Sequence, residues 1–299
     1  MAIEIIGSET REPPGPIAQF WSAFTENRGA VIGLWVLGII VTLAIFAPFL
    51  APHDPLEQFR DVTKLPPAWT EQGQWAYPLG TDALGRDMLS RLMYGARISL
   101  FIGVAVMSVS MVLGVALGLA TAWFGGLFEV IVIRVMDLIV SIPSLVLAIL
   151  IMAVLEPNLT NTIIAVTIVY MPRYVRLVRA SALAELTKDY VTAAKVSGVR
   201  PLRLMLRTVF PNCAAPLVVQ AALGVSDAII EAAGLGFLGL GAQPPMPEWG
   251  TMLADSREFI SAAPWIMMMP GLAILVTVLS INLVGDGLRD ALDPKLRRS

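Results

Sequence analysis

Three stretches of this chain contain no Asp, Glu, Lys or Arg: Gly29 to Pro52, Ile98 to Phe128 and Phe259 to Gly285. A membrane-crossing helix needs about 20 apolar residues, and each stretch is long enough. Of the 299 residues, 56% are hydrophobic and 15% charged, more apolar surface than a soluble protein of this length can bury. Membrane residence follows, and each run reads as a spanning helix.

Shorter segments complete the pattern. Leu138 to Leu155, entered through Arg134 and Asp137, reads as a further span. Pro157 to Pro172 reads as another, completed by Tyr174 and Val175. Thr208 to Ser226, extended past Asp227 and Glu231, makes a total of six. With the N-terminus in the cytoplasm, segments 1–28, 124–134, 173–207 and 286–299 hold 2, 1, 8 and 4 of the 21 Lys and Arg residues. Cytoplasmic segments carry the basic residues, so both termini are expected there. The division expected is a tail at 1–28, a first span at 29–52, an outer segment at 53–97, a transmembrane domain at 98–286 and a tail at 287–299. The acidic N-terminus (Glu4, Glu9, Glu12) does not resemble a cleaved leader. Arg86, Arg91 and Arg97 fall outside. They lie in Gly80 to Arg97, whose apolar residues Leu84, Met88, Leu92 and Tyr94 are spaced for an interfacial helix. The Pro- and Trp-rich segment 51–79 predicts an irregular lid.

The most basic segment holds Tyr190-Val-Thr-Ala-Ala-Lys-Val-Ser-Gly-Val-Arg200, with Pro211 beyond it. Gly198 inside helical sequence predicts two short helices joined at a turn. The functional reading is a coupling element over 185–211 that passes force from a soluble motor. The alternative is an amphipathic surface helix. Asp227 and Glu231 share a helix face four residues apart. They either line a path that attracts an ammonium group or pair structurally with an arginine. Arg134 and Asp137 are expected to form a local pair. The loop 236–250, with Gly236, Gly239, Gly241, Pro244, Pro245, Pro247, Glu248 and Trp249, is either an outer gate or docking surface or a re-entrant loop that only packs. His53 is expected at the interface, Cys213 in packing, and Met267 to Met269 against lipid or core. One Cys and one His exclude a disulfide and a Cys- or His-rich metal site. No Gly-x-x-x-x-Gly-Lys-Ser/Thr occurs, so no P-loop binds nucleotide here.

The runs Gly80-Thr-Asp-Ala-Leu-Gly-Arg-Asp-Met-Leu-Ser-Arg-Leu-Met-Tyr-Gly-Ala-Arg97, Gly234-Leu-Gly-Phe-Leu-Gly-Leu-Gly-Ala-Gln-Pro-Pro-Met-Pro-Glu-Trp-Gly250 and Gly285-Asp-Gly-Leu-Arg-Asp-Ala-Leu-Asp-Pro294 resemble the C-type permease subunit of peptide ABC importers. Arg60-Asp61, Pro66-Pro67-Ala68-Trp69 and Leu292-Asp-Pro-Lys295 resemble its dipeptide branch. Nickel, oligopeptide and glutathione importers are neighbouring alternatives. The family's cytoplasmic loop reads Glu-Ala-Ala, three residues, Gly, nine residues, Ile, one residue, Leu-Pro. Here it is Thr192-Ala193-Ala194, Gly198, Thr208, Phe210 and Pro211, which keeps the glycine and proline register but not the acid. The resemblance implies an all-α membrane protein of six helices, the transmembrane domain of a type I ABC importer in the bacterial inner membrane. It implies partners: a B-type permease, two ATPase subunits that hold ATP and Mg, and a periplasmic peptide-binding protein. No cofactor, metal or catalytic residue is expected in this chain. A proton-coupled secondary carrier, or a structural scaffold, is the rival from another class. Carriers commonly show inverted repeats, which are absent here.

Overall fold

The computed structural model describes residues 15–292, so the outer ends of both tails, including Pro294 and Lys295, lie outside the described residues. Among the described residues there is no strand beyond a single bridge between Thr81 and Asp87. The helices are α1 (Pro16–Glu26), α2 (Arg28–Ile45), α3 (Ala47–Leu50), α4 (Met88–Phe124), α5 (Gly126–Ser141), α6 (Ser144–Val154), α7 (Leu159–Leu186), α8 (Asp189–Val196), α9 (Pro201–Leu204), α10 (Ala214–Phe237), α11 (Trp249–Ser256) and α12 (Trp265–Leu292). A π turn at Met205–Val209 and a 3₁₀ turn at Phe210–Cys213 join α9 to α10.

Four helical segments are long and apolar enough to cross a membrane: α2, α4, Pro201–Phe237 and α12. The pair α5 and α6, bent by 98°, makes a fifth if it is one span. This corrects the sequence boundaries in several places. The expected span from Leu138 to Leu155 is not one helix. Its break falls at Ile142 and Pro143, where the helical N–H is missing and the preceding residue is driven to extended backbone. The segment expected from Pro157, completed by Tyr174 and Val175, is instead the helix Leu159–Leu186, with Pro172 inside it. Its second half carries Arg173, Arg176 and Arg179, so composition alone does not mark it as a span.

The expected helix from Gly80 to Arg97 is also corrected. Residues 80–87 form a turn, and α4 begins at Met88, where the Asp87 side chain accepts from the Ser90 N–H at 2.9 Å. Arg86 and Arg91 are buried rather than at headgroup level, and only Arg97 is exposed, lying over the Tyr94 ring. The segment from 51 to 79 is irregular as expected, with one 3₁₀ turn at Arg60–Val62. It is nonetheless packed. His53 stacks on Tyr77 at 4.8 Å and meets Phe59 edge-on at 5.1 Å. The described part of the N-terminal segment packs on the end of α12. Phe24 on α1 is buried against Ala30 and Ala291, and Asn27 donates to Asp290 at 3.0 Å.

The core sits where α4 packs along α7 and α10. Tyr174 fills the centre, wedged between Gly114 on α4 and Gly224 on α10, and its hydroxyl donates to the Gln220 carbonyl at 3.3 Å. A Cβ at Gly114 would overlap the Tyr174 side chain. Small residues let membrane helices approach this closely. Gly114→Ala is therefore expected to lower stability by about 1–3 kcal/mol through overpacking, read as a lower unfolding temperature in detergent. Cys213 is buried in the same cluster, as expected of a packing residue.

A candidate transport path, coupling turn and outer loop

Helix α7 carries a charge ladder. Arg173 pairs with Asp227 on α10 at 2.5 Å, Arg176 with Asp137 on α5 at 2.8 Å, and Arg179 donates through Nε to Glu129 on α5 at 2.6 Å. The side chains of the Arg173 and Asp227 pair are 49% and 40% exposed in the isolated chain. Arg173 also lies over the Tyr170 ring at 4.7 Å, and the Tyr170 hydroxyl donates to the Asp227 carbonyl at 3.4 Å. Arg173 lies about 21 Å along α7 from its start, at 1.5 Å per residue.

The two acids of α10 thus separate. Asp227 takes the structural pairing with an arginine and is still half-open. Glu231 is buried, accepts from Ser144 at 3.3 Å, and leaves its other oxygen without a partner. Ser144 opens α6 just past the bend, so Glu231 ties the broken α5–α6 pair to α10. Asp227→Asn leaves Arg173 without its counter-charge. We expect transport to slow by about tenfold, equivalent to ~1.4 kcal/mol, with the ranking of substrates unchanged. Arg173→Gln in the same chain should restore part of the rate. Competition uptake assays measure both.

The expected local pair of Arg134 and Asp137 is loose at 3.9 Å, because Asp137 is held by Arg176. Arg173, Arg176 and Arg179 were missed as a set. Their spacing of three, against three acids on other apolar segments, was the available signal.

The segment 189–204 forms two short helices joined at Gly198, as the sequence predicts. Gly198 has φ +75°, a conformation that L side chains rarely adopt. Val191 is fully buried in the cluster with Leu204 and Val209, which fixes α8 to the bundle. Thr192, Ala193, Lys195 and Val196 are exposed, Val196 at 84%, while Ala194 is half-buried. Pro211 is exposed in the 3₁₀ turn that leads into α10. The result is an exposed knob held to the bundle mainly through Val191.

The loop after α10 divides. Gly239, Pro244 and Pro245 are exposed, whereas Gly241 is buried against Gly236. Glu248 and Trp249 are inside the protein, which favours the packed re-entrant reading for these two. Glu248 accepts from the N–H groups of Gly250 and Thr251 at 2.8 and 2.9 Å and from Ser99 on α4 at 3.2 Å. The Trp249 ring lies on Gly95 and donates to the Leu92 carbonyl at 3.1 Å. Burial pushes the Glu248 carboxyl above the usual range, against those hydrogen bonds.

Beside this loop lies a cavity of about 490 Å³, lined by Asp82, Leu84, Arg86, Pro244, Asp255 and Glu258 among others. Asp82 accepts from Arg86 Nε at 2.6 Å and lies 3.5 Å from Arg91 Nε, and Asp255 lies 3.9 Å from Arg86. The turn Gly80 to Asp87 is therefore a buried charge cluster, which helical spacing could not reveal. Among the described residues no group of His, Cys, Asp and Glu could hold a metal ion.

Comparison with known proteins agrees with this architecture. Residues 110–298 match the model of the binding-protein-dependent transport system inner membrane component, and residues 15–67 that of the N-terminal TM domain of oligopeptide transport permease C. The chain is 54% identical over 286 residues to the di/tripeptide transport system permease protein DppC of Pseudomonas aeruginosa, covering 96% of this chain and 94% of that protein. It is 51% identical to the dipeptide transport system permease protein DppC of Haemophilus influenzae (97% and 98%) and 54% identical to that of Escherichia coli K12 (96% and 95%). A solved inward-facing form of the MetNI methionine ABC transporter shares the fold at TM-score 0.57 and 20% identity, covering 69% of this chain and 98% of that one. This chain is a member of the family of binding-protein-dependent transport system inner membrane components, the permeases of ABC importers.

Proposed function

We propose that this chain is the C-type permease subunit of an ATP-driven importer that carries dipeptides across the bacterial inner membrane. The observation that carries the substrate class is the 54% identity, over 96% of the chain, to permeases named for dipeptides. In this reading α7 is the remaining span, which makes six, and both ends are cytoplasmic. The basic residues of 173–207 support that orientation, as does the packing of α1 on the last turn of α12.

The half-exposed ladder on α7 faces the cavity completed by a second, B-type permease. Peptides carry both charges, so a surface of balanced pairs holds them weakly and lets them leave. Two ATPase subunits bind ATP and Mg and grip the knob around Thr192, Ala193, Ala194 and Gly198, with Pro211 at the base. A periplasmic peptide-binding protein docks on the outer face around Gly239, Pro244 and Pro245, beside the cavity at Asp255. Neither binding event alone favours one direction. ATP must bias which side is open, through a difference in affinity between the two states. Uptake of a labelled dipeptide should be lost on ATP depletion and insensitive to a proton ionophore. The reverse pattern would assign a proton-coupled carrier.

A further inference from the structure

Alongside the coupling segment runs an apolar groove of about 750 Å³. Val115, Leu119 and Trp123 of α4 form one wall, and Leu202, Met205 and Leu206 form the other. Its lining along α4, from Met111 to Phe124, spans about 20 Å, close to the ~15 Å depth of one leaflet. Three arginines, Arg200, Arg203 and Arg207, stand next to the groove's second wall. All three are exposed, and among the described residues none has an ion-pair partner. Arg203 and Arg207, four apart, share one side of the helical segment, adjacent in sequence to Leu202 and Leu206, which are 72% and 49% exposed, and Arg200 precedes it. Trp123 and Phe124 close the groove where aromatic residues favour the membrane interface.

An apolar slot of leaflet depth with unpaired guanidinium groups along one wall suits an amphiphile, apolar tail and anionic head. We propose that this groove binds an anionic phospholipid of the cytoplasmic leaflet, with an acyl chain along α4 and the phosphate on Arg203 and Arg207. Basic residues at the cytoplasmic surface attract such headgroups. The occupant would then brace the segment that joins the Gly198 turn to α10. This rests on the membrane orientation proposed above, but not on which substrate is carried.

The test is the phospholipid that copurifies with the whole importer in mild detergent, measured by mass spectrometry as the ratio of phosphatidylglycerol to phosphatidylethanolamine. Wild type should be enriched in phosphatidylglycerol over the source membrane. R203Q/R207Q should lower that enrichment by about thirtyfold, and R203K/R207K should keep it. Ala116→Trp, which fills the groove and leaves the arginines intact, should abolish it. Equal ratios in wild type and R203Q/R207Q would overturn the proposal. So would loss of the ATPase subunits from R203Q/R207Q with lipid unchanged, which would give the arginines to a protein partner instead. Because no step reads uptake, an error in the substrate would leave the result unaffected.

Discussion

Replacing Gly198 by valine is expected to reduce dipeptide uptake to background while the chain reaches the membrane in normal amount. An ideal Cβ at Gly198 meets nothing within 4 Å, so the obstacle is the backbone and not the space. At φ +75° a β-branched residue is strained by about 1–3 kcal/mol. The bundle can release that strain cheaply, because α8 is anchored mainly through Val191 while Thr192, Ala193 and Val196 stay exposed. The knob would swing, the core would survive, and contact with the motor would fail. Asparagine tolerates this backbone region far better, so Gly198→Asn should retain most uptake. Uptake in both variants, set against immunoblots of the membrane fraction, separates the backbone explanation from a simple size limit. Valine and asparagine failing equally would refute it.

The largest expected loss of stability is at Glu248. Glu248→Ala removes the cap of α11, leaves two N–H groups unpaired in a buried site and takes the partner from Ser99. The cap consists of those two N–H bonds, and each buried group left unpaired costs about 1–3 kcal/mol, so a loss of about 2–6 kcal/mol is expected. Glu248→Gln keeps an acceptor oxygen and should cost much less. Because burial raises the Glu248 carboxyl above its unfolded value, the folded state holds the proton more tightly. Its contribution to stability is then greatest at low pH. It declines as pH rises from the ordinary carboxylate range through the raised folded value. Thermal unfolding against pH should show this slope in the parent and a flatter one in Glu248→Gln.

Much of this was legible because apolar runs and glycine positions report on local physics. The uncharged stretches located α2, α4 and α12, and the Gly198 turn was read at its residue. What failed was long-range. The span at Leu138 to Leu155 read as continuous because apolar count carries no information about direction, although Pro143 marked the bend. Arg86 and Arg91 read as interfacial because helical spacing could not show that Gly80 to Asp87 folds back to bury them with Asp82. Glu248 and Trp249 stood open between an outer surface and a packed re-entrant loop, because loop composition does not reveal that Gly95 leaves room for the indole. For Asp227 and Glu231 the shared face was correct, but the partners that divide their roles, Arg173 and Ser144, lie 54 and 87 residues away.

Uptake of a labelled dipeptide should be lost in cells lacking only this gene, in a strain without a redundant carrier. It should return in the same cells re-supplied with the gene. Unchanged uptake in the cells lacking the gene would contradict the dipeptide assignment and bring nickel, glutathione and longer peptides to the front.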